Sequence, residues 1–201
     1  MGMVFGKIPV ETPKYELIKS TPDYEIRKYP PSVIAEISYD PSQLKGDRDG
    51  GFTILANYIG AFGNPQNSSP EKIAMTAPVI TTTTAAEKIP MTAPVVTRKE
   101  GEKGERVTMG FILPAKYKKA SEAPAPVDGR VVVREEGERK FAVVRFSGVA
   151  TEKVVEEKVG RLRELLERDG YKVVGVEVLG RYNPPWTLPP FRTNEVMLPV
   201  E

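Results

Sequence analysis

Residues 131–170 read VVVREEGERKFAVVRFSGVATEKVVEEKVGRLRELLERDG, and this stretch contains the units from which the fold is built. Val131–Arg134 and Lys140–Phe146 are rich in β-branched and aromatic residues and flank a Glu-Gly-Glu turn, which predicts a β-hairpin. Thr151 then caps an amphipathic helix, and Gly170 is the residue expected just past its end. The stretch therefore predicts the order strand, strand, helix.

The same order appears upstream. A first helix is predicted at 51–62, because apolar residues recur at i, i+3, i+4 and i+7, and a second at 151–169. The apolar face of the first helix consists of Phe52, Leu55, Ala56 and Ile59. The other predicted strands are Tyr15–Ser20, Tyr24–Tyr29, Val33–Tyr39, Val107–Leu113, Tyr171–Leu179 and Glu195–Val200.

These elements predict one domain over residues 1–201, made of two similar strand-strand-helix-strand-strand halves at about 15–114 and about 130–201. One helix for every few strands favours an α+β antiparallel fold, since a parallel sheet needs more frequent helices. The two halves could share one sheet or close a barrel, with each helix packed against the sheet.

A near-repeat lies between the first helix and the next strand. Lys72–Ile80 reads KIAMTAPVI and Lys88–Val96 reads KIPMTAPVV. Neither copy holds a nucleophile beside a base, so the repeat indicates a structural or binding element. We expect only one copy to occupy a place in the sheet and the other to lengthen a loop, because loop insertions cost little closure entropy.

The composition excludes several classes of site. The chain has no cysteine and no histidine, which rules out disulfides, a Ser-His-Asp triad and the common zinc and haem ligand sets. Its net charge of +2 gives no basic footprint for nucleic acid. No apolar run is long enough to span a bilayer, so a cytoplasmic protein without a membrane partner is expected.

Several segments together resemble the SOUL haem-binding protein family. They are Tyr24–Tyr29, the first helix with Asn57-Tyr58-Ile59, the Lys-Ile-x-Met-Thr-Ala-Pro-Val motif, and Arg181–Pro185 leading to Arg192–Val196. They occur in the order of the family, and the repeat with the Trp186–Arg192 ending looks most like its plant cytosolic branch. The resemblance implies a distorted eight-stranded antiparallel β-barrel with two flanking helices and non-covalent haem binding without enzymatic activity.

One departure from the family affects how haem would bind. Some animal members carry a histidine implicated as an iron ligand in the Tyr-Glu-Ile-Arg-x-Tyr motif, where this chain has Lys28. Other members bind the ring in an apolar groove along the first helix. The resemblance therefore implies groove binding without a histidine ligand.

The candidate site follows from this comparison, and each residue also has a structural explanation. The first-helix stripe is either core or the wall of the groove. Met75 and Met91 are either core fillers or iron ligands, and Met75 is the better ligand candidate of the two. The stiff proline-rich loop with Trp186, Leu188 and Phe191 covers either the ligand or the barrel end. Arg192 suits a propionate, with Lys28, Arg48 and Arg27 as further candidates, although solvated charges explain all four. The expected cofactor-binding residues are Phe52, Leu55, Ala56, Ile59, Met75, Trp186, Phe191 and Arg192.

The leading function is a cytosolic carrier or buffer of haem, bound weakly, with metal-free porphyrin as a further candidate ligand. The alternative is a protein-interaction or effector-binding module for other flat apolar ligands. An enzyme is not expected, because Glu36 and Glu195 are the best acid–base candidates and show no obvious partner in the sequence. No catalytic residue and no metal site are assigned.

Overall fold

The computed structural model describes residues 2–41, 50–85 and 105–201. Two helices and nine strands form in these ranges. In chain order they are β1 (Glu16–Ser20), β2 (Glu25–Tyr29), β3 (Ser32–Tyr39), α1 (Gly50–Ile59), β4 (Val79–Ala85), β5 (Glu105–Ile112), β6 (Val132–Glu136), β7 (Arg139–Phe146), α2 (Glu152–Arg168), β8 (Val178–Arg181) and β9 (Asn194–Pro199).

All nine strands belong to one curled antiparallel sheet in the order β1-β2-β7-β9-β8-β4-β5-β3-β6. The α+β class and the two helices agree with the prediction, but the count of eight strands in two equal halves is wrong. Three strands precede α1, because the β1–β2 hairpin adds an edge strand that has no counterpart in the second half. No pairing among the described residues joins β1 to β6, so the sheet is a half-barrel with two edges.

Both helices pack on the same face of the sheet, called here the helical face. Leu55, Ala56 and Ile59 of α1 meet the residues of β3 and β5 that point toward it. Leu162 and Leu166 of α2 do the same against β7 and β9. These two apolar clusters hold most of the buried side chains, so the core lies between the helices and the sheet.

Local sequence explains how each helix is held. Gly51 lets α1 approach β3 closely, since a Cβ at this position would lie 2.6 Å from Cε1 of Tyr39. The α1 chain leaves the helix at Gly60, which has φ +74°, as expected for the left-handed position after a helix. Thr151 Oγ1 accepts a hydrogen bond from the Val154 amide at the start of α2, and Gly170 has φ +79° after its end.

The predicted strand Tyr171–Leu179 is mostly not a strand, because only Val178 and Leu179 of it belong to β8. Val173 and Val174 instead run beside the end of β9 with isolated contacts to Val200 and Pro199. Pro199 has no amide hydrogen to donate, which interrupts a regular ladder at this point. Residues 171–177 therefore run along one end of the sheet without forming a regular strand.

The two copies of the repeat have different positions in the chain. The first copy leads directly into β4, and Thr76 donates a hydrogen bond to the Ile112 carbonyl of β5. The second copy falls in the connection between the paired residues Ala85 and Glu105 and, together with Arg48, Asp49 and Met91, lies outside the described residues. Which copy matches the family position therefore stays a prediction.

Candidate functional site

The face of the sheet opposite the helices is concave and encloses a cavity of about 1160 Å³. We call this face the open face and the space the open-face cavity. Its volume exceeds the roughly 300–1,000 Å³ that is common for small-molecule pockets. It has more than twice the volume of the groove beside α1 described below, which makes it the first candidate for a binding site.

Strand alternation determines which side chains reach this cavity. On β3, Val33, Ala35 and Ile37 face α1, so the side chains between them point to the open face. The same rule applies to β4 and β5. The lining from these three strands is Ile34, Glu36, Ser38, Ile80, Thr82, Thr108, Gly110 and Ile112.

The other side of the cavity is apolar. Phe141 and Met197, from the neighbouring strands β7 and β9, form a small cluster with partly buried Tyr29, Ile80 and Val178. The rings of Tyr29 and Phe141 meet edge to face, with their centroids 5.9 Å apart. This cluster gives the cavity an aromatic and aliphatic wall suited to an apolar ring.

A buried ionic cluster lies on the open face beside this wall. Arg27 Nη1 donates to Glu195 Oε1 at 2.9 Å, and the Tyr182 hydroxyl donates to Glu195 Oε2 at 2.6 Å. Arg27 is 5% exposed and Glu195 is 3% exposed. The sequence showed no obvious partner for Glu195, but both of its oxygens are bound, one by Arg27 of β2 and the other by Tyr182 just after β8.

The tyrosines of this cluster stay protonated over a wide pH range. Burial raises the pKa of Tyr29 to about 12, despite the hydrogen bond from Arg27, which lowers it. Burial and the Glu195 charge raise the pKa of Tyr182 far above its usual value. Neither phenol is therefore a ready source of the phenolate that would bind iron.

A second ionic cluster lines the cavity on the other half of the sheet. Arg134 on β6 donates to Glu36 on β3 at 2.8 Å and also bonds Glu136. Glu136 in turn pairs with Arg139. The sequence showed no obvious partner for Glu36 either, because Arg134 lies 98 residues away along the chain.

Three lysines that border the cavity form no ion pair with any described residue. They are Lys14, Lys118 and Lys140. Lys14 precedes β1, and Lys140 lies near the start of β7. They provide positive charge that no carboxylate of the described residues neutralises through an ion pair.

The structure places the predicted first-helix residues in the core and not on a groove. Leu55 and Ala56 are 0% exposed and Ile59 is 1% exposed. Phe52 is partly buried and packs edge to face on Phe111 at 5.5 Å. A ligand role for these side chains stays a prediction that requires α1 to move.

The remaining predicted residues lie away from the open-face cavity. Met75 is 36% exposed and does not line it. Trp186 and Phe191 are exposed on the proline-rich loop, where Phe191 contacts Phe5 at 5.7 Å. Arg192 donates to the carbonyls of Thr187 and Pro185 within the same loop.

Arg27 and Lys28, two of the other proposed propionate partners, are also engaged, and Arg48 lies outside the described residues. Arg27 belongs to the buried cluster, so it is neither solvated nor free. Lys28 pairs with Glu138 at 3.0 Å, and this hydrogen bond raises its pKa. The sequence did not single out Met197, which lines the cavity, because an apolar residue in a strand has the same pattern whether it faces the core or a cavity.

A shallower groove lies beside the outer side of α1. Ile54, Asn57 and Phe62 line it together with Val127 and Arg130, and its volume is about 500 Å³. Phe62 and Val127 are 65% and 66% exposed. Asp128 holds Arg130 by two hydrogen bonds, and the pKa of Asp128 falls to about 2 because of them.

The described residues contain neither a cluster of metal ligands nor a membrane-spanning helix. No group of three or more histidine, cysteine, aspartate or glutamate side chains could hold a metal ion there. Across the same ranges, none of the helices combines the length and apolar character required to cross a membrane.

Solved structures with the same fold are distant in sequence. The C-terminal domain of EcmrR is 15% identical, with a TM-score of 0.53, and the match covers 93% of this chain and 98% of that one. An uncharacterized conserved protein from Listeria innocua is 12% identical with a TM-score of 0.55, covering 88% and 92%. A hydrolase from Listeria innocua is 12% identical with a TM-score of 0.54, covering 92% and 94%. At these identities the likeness shows the fold alone.

Comparison with sequence families is more specific. No curated protein matches the chain. The profile described as SOUL heme-binding protein matches residues 10–87 and 83–199, and the junction of the two matches falls between the two Met-Thr-Ala-Pro copies. These matches span nearly the whole chain, and the chain therefore belongs to the SOUL haem-binding protein family.

Proposed function

We propose that this protein binds haem or a related tetrapyrrole non-covalently in the open-face cavity and acts as a cytosolic carrier or buffer of the plant type. Membership of the haem-binding family supports the ligand class. The observation that carries the choice of site is the size of the cavity, about 1160 Å³, with an apolar wall on one side.

The ring would lie against the wall formed by Phe141, Met197 and Val178. Burial of a flat macrocycle there contributes at about 25 cal/mol per Å² of apolar area removed from water. The carboxylates of the ligand would meet Lys14 and Lys118, which border the cavity and form no ion pair with a described residue. The cavity supplies both kinds of contact that an apolar dicarboxylate requires.

Iron would not be the main anchor. The chain has no histidine or cysteine, and the raised pKa values of Tyr29 and Tyr182 disfavour phenolate ligation. Met197 is the one methionine among the described residues that line the cavity, so it is the thioether that could approach the iron. We therefore expect haemin and metal-free protoporphyrin to bind with similar affinity and Met197→Leu to leave both affinities within about threefold.

A role in binding, and not in catalysis, is part of the proposal. The two acidic groups that the sequence offered as acid–base candidates, Glu36 and Glu195, are held in ion pairs with Arg134 and Arg27. A carboxylate that is neutralised by a guanidinium is a poor general base. This supports a carrier, and an activity assay against ester and phosphate substrates should give no turnover.

The groove beside α1 is the rival site, because Phe62 and Val127 are exposed there next to Arg130. A matched pair of variants separates the two. Ile112→Asp puts a charge into the open-face cavity, and Phe62→Asp puts the same charge into the groove. Both ligands are titrated and followed by the Soret band and by porphyrin fluorescence.

Under the proposal, Ile112→Asp lowers affinity for both ligands by at least about tenfold, and Phe62→Asp changes it by less than about threefold. The reverse result would place the ligand in the groove, and no binding by the unaltered protein would reject the function. If Ile112→Asp does not fold, Thr108→Trp fills the same cavity with a neutral side chain. A thermal melt of each variant controls for folding.

A further inference from the structure

An exposed apolar patch is formed where the N-terminal segment crosses the proline-rich loop. Thr187 donates to the Met3 carbonyl at 2.7 Å, and the Leu188 amide donates to the Val4 carbonyl at 3.1 Å. We call this surface the loop patch. Its large side chains and their exposures are Met3 42%, Phe5 60%, Trp186 63%, Leu188 45% and Phe191 47%. Exposed apolar clusters of this kind on a folded chain usually mark an interaction site.

The backbone of the loop is unusual because it satisfies its own hydrogen bonds. Four of the residues from 184 to 192 are prolines, which have no amide hydrogen. The amides of Thr187, Leu188, Phe191 and Arg192 all donate to carbonyls of the protein. Within this described loop, Trp186 is the one non-proline residue from 184 to 192 whose amide makes no such hydrogen bond. Such a surface can enter an environment that offers no hydrogen bonds, as the boundary of a lipid bilayer requires.

The two segments that form the loop patch carry few charges, and these are positive. Residues 2–10 carry Lys7 as their one charged side chain, and residues 182–194 carry Arg192 as theirs. Arg192 donates to backbone carbonyls and not to a carboxylate. Cations beside exposed aromatic side chains are the composition of surfaces that bind anionic lipid headgroups.

We propose that the loop patch docks the protein on the surface of an anionic lipid membrane, with Trp186 and Phe5 inserted at the headgroup boundary. Indole and phenyl rings favour this depth, and the stiff prolines limit the entropy lost on docking. Docking at the membrane surface does not require a chain segment that crosses the bilayer, so it does not need a long apolar run.

The chain has a single tryptophan, which makes Trp186 a direct reporter. The full-length protein is mixed with vesicles of phosphatidylcholine, with or without phosphatidylserine, and both sedimentation and emission are measured. We expect sedimentation with the anionic vesicles, a blue shift of the emission and protection of Trp186 from an aqueous quencher. The double variant Phe5→Ser/Leu188→Ser should lower vesicle partitioning by about tenfold.

The matched control is Phe62→Ser/Val127→Ser, which removes two equally exposed apolar side chains beside α1 and should leave partitioning unchanged. If the first double variant does not fold, Trp186→Ser is tested by sedimentation alone. The proposal is overturned if the protein does not sediment, if it sediments with unchanged emission, or if both double variants lose binding equally. A blue shift that depends on protein concentration without lipid would indicate self-association instead.

Discussion

The two faces of the sheet use the same strands for opposite purposes. The helical face is covered by α1 and α2, and its side chains are apolar and close to fully buried. The open face carries ion pairs, tyrosines, threonines and a large cavity. Each strand alternates between the two, so a shift of one residue would exchange a core side chain for a cavity side chain.

This difference separates what holds the fold from what is available for a ligand. On the helical face, removal of apolar area from water stabilises the structure. On the open face, a buried ion pair contributes little net stability, but either partner left alone would be costly. Four predictions test this division, from the largest expected effect to the smallest.

The largest effect is expected at the buried pair of the open face. Arg27→Ala leaves Glu195 charged and 3% exposed, so the free energy of unfolding should fall by about 3–5 kcal/mol in a denaturant titration. Arg134→Ala is the control, since its side chain is 37% exposed, and should cost about 1 kcal/mol or less. Replacing Arg27 and Glu195 together by methionine should recover most of the loss. Equal losses in the two single variants would contradict this account.

A truncation on each face should give unequal losses. Leu55→Ala removes a side chain that is 0% exposed and should cost about 2–5 kcal/mol, because it leaves a cavity in the core. Ile112→Ala removes a side chain that already borders the open-face cavity, and should cost about 1 kcal/mol. Denaturant midpoints of both variants give the comparison. Similar losses would show that the open face is packed as tightly as the helical face.

Alkaline pH should lower the free energy of unfolding, because a partly or fully buried tyrosine on each face of the sheet would have to ionise. Burial raises the pKa of Tyr29 on the open face and of Tyr58 on the helical face to about 12 each. The unfolded chain ionises near pH 10, so this stability is complete below about pH 10 and is lost as the pH rises to about 12. Phenolate absorbance and denaturant midpoints measure the loss.

A bound ligand makes this test specific for one face. Porphyrin in the open-face cavity should delay ionisation of Tyr29, which lines it, and leave Tyr58 unaffected. Tyr29→Phe and Tyr58→Phe identify which signal belongs to which residue. A delay that disappears in Tyr58→Phe would move the ligand to the α1 side.

The smallest effect is expected from shortening the β4–β5 connection. Deleting Lys88–Lys103 removes the second copy and leaves Ala86-Glu87-Gly104 between the paired residues Ala85 and Glu105. A three-residue loop ending in glycine is a common hairpin connection, so the free energy of unfolding should change by about 1 kcal/mol or less.

The reciprocal deletion, Lys72–Glu87, is the matched comparison. It would bring the second copy to β4 and put Arg98 where Thr82 lines the open-face cavity. We expect this variant to be less stable than the first deletion in the same thermal melt. If the first deletion loses cooperative unfolding, the second copy is part of the frame and the prediction is wrong.

The sequence by itself determined the elements whose signals are local. The period of apolar residues predicted both helices, and Thr151, Gly60 and Gly170 marked their ends, because caps depend on a few consecutive residues. The family was also readable from short motifs, and its profile matches nearly the whole chain. The edge strand β1 was predicted, as Tyr15–Ser20, but its place in a nine-stranded sheet and the short length of β8 were not, since strand partners and the effect of Pro199 depend on neighbours far along the chain.

Only the tertiary structure decided where a ligand could fit. Arg27 and Glu195 are 168 residues apart and Glu36 and Arg134 are 98 apart, so neither cluster has a sequence signal. The first-helix stripe suited core slightly better than groove but did not decide between them, because an apolar helix face has the same pattern in both. Curvature of the sheet made one face concave, and curvature arises from the packing of all nine strands and both helices together.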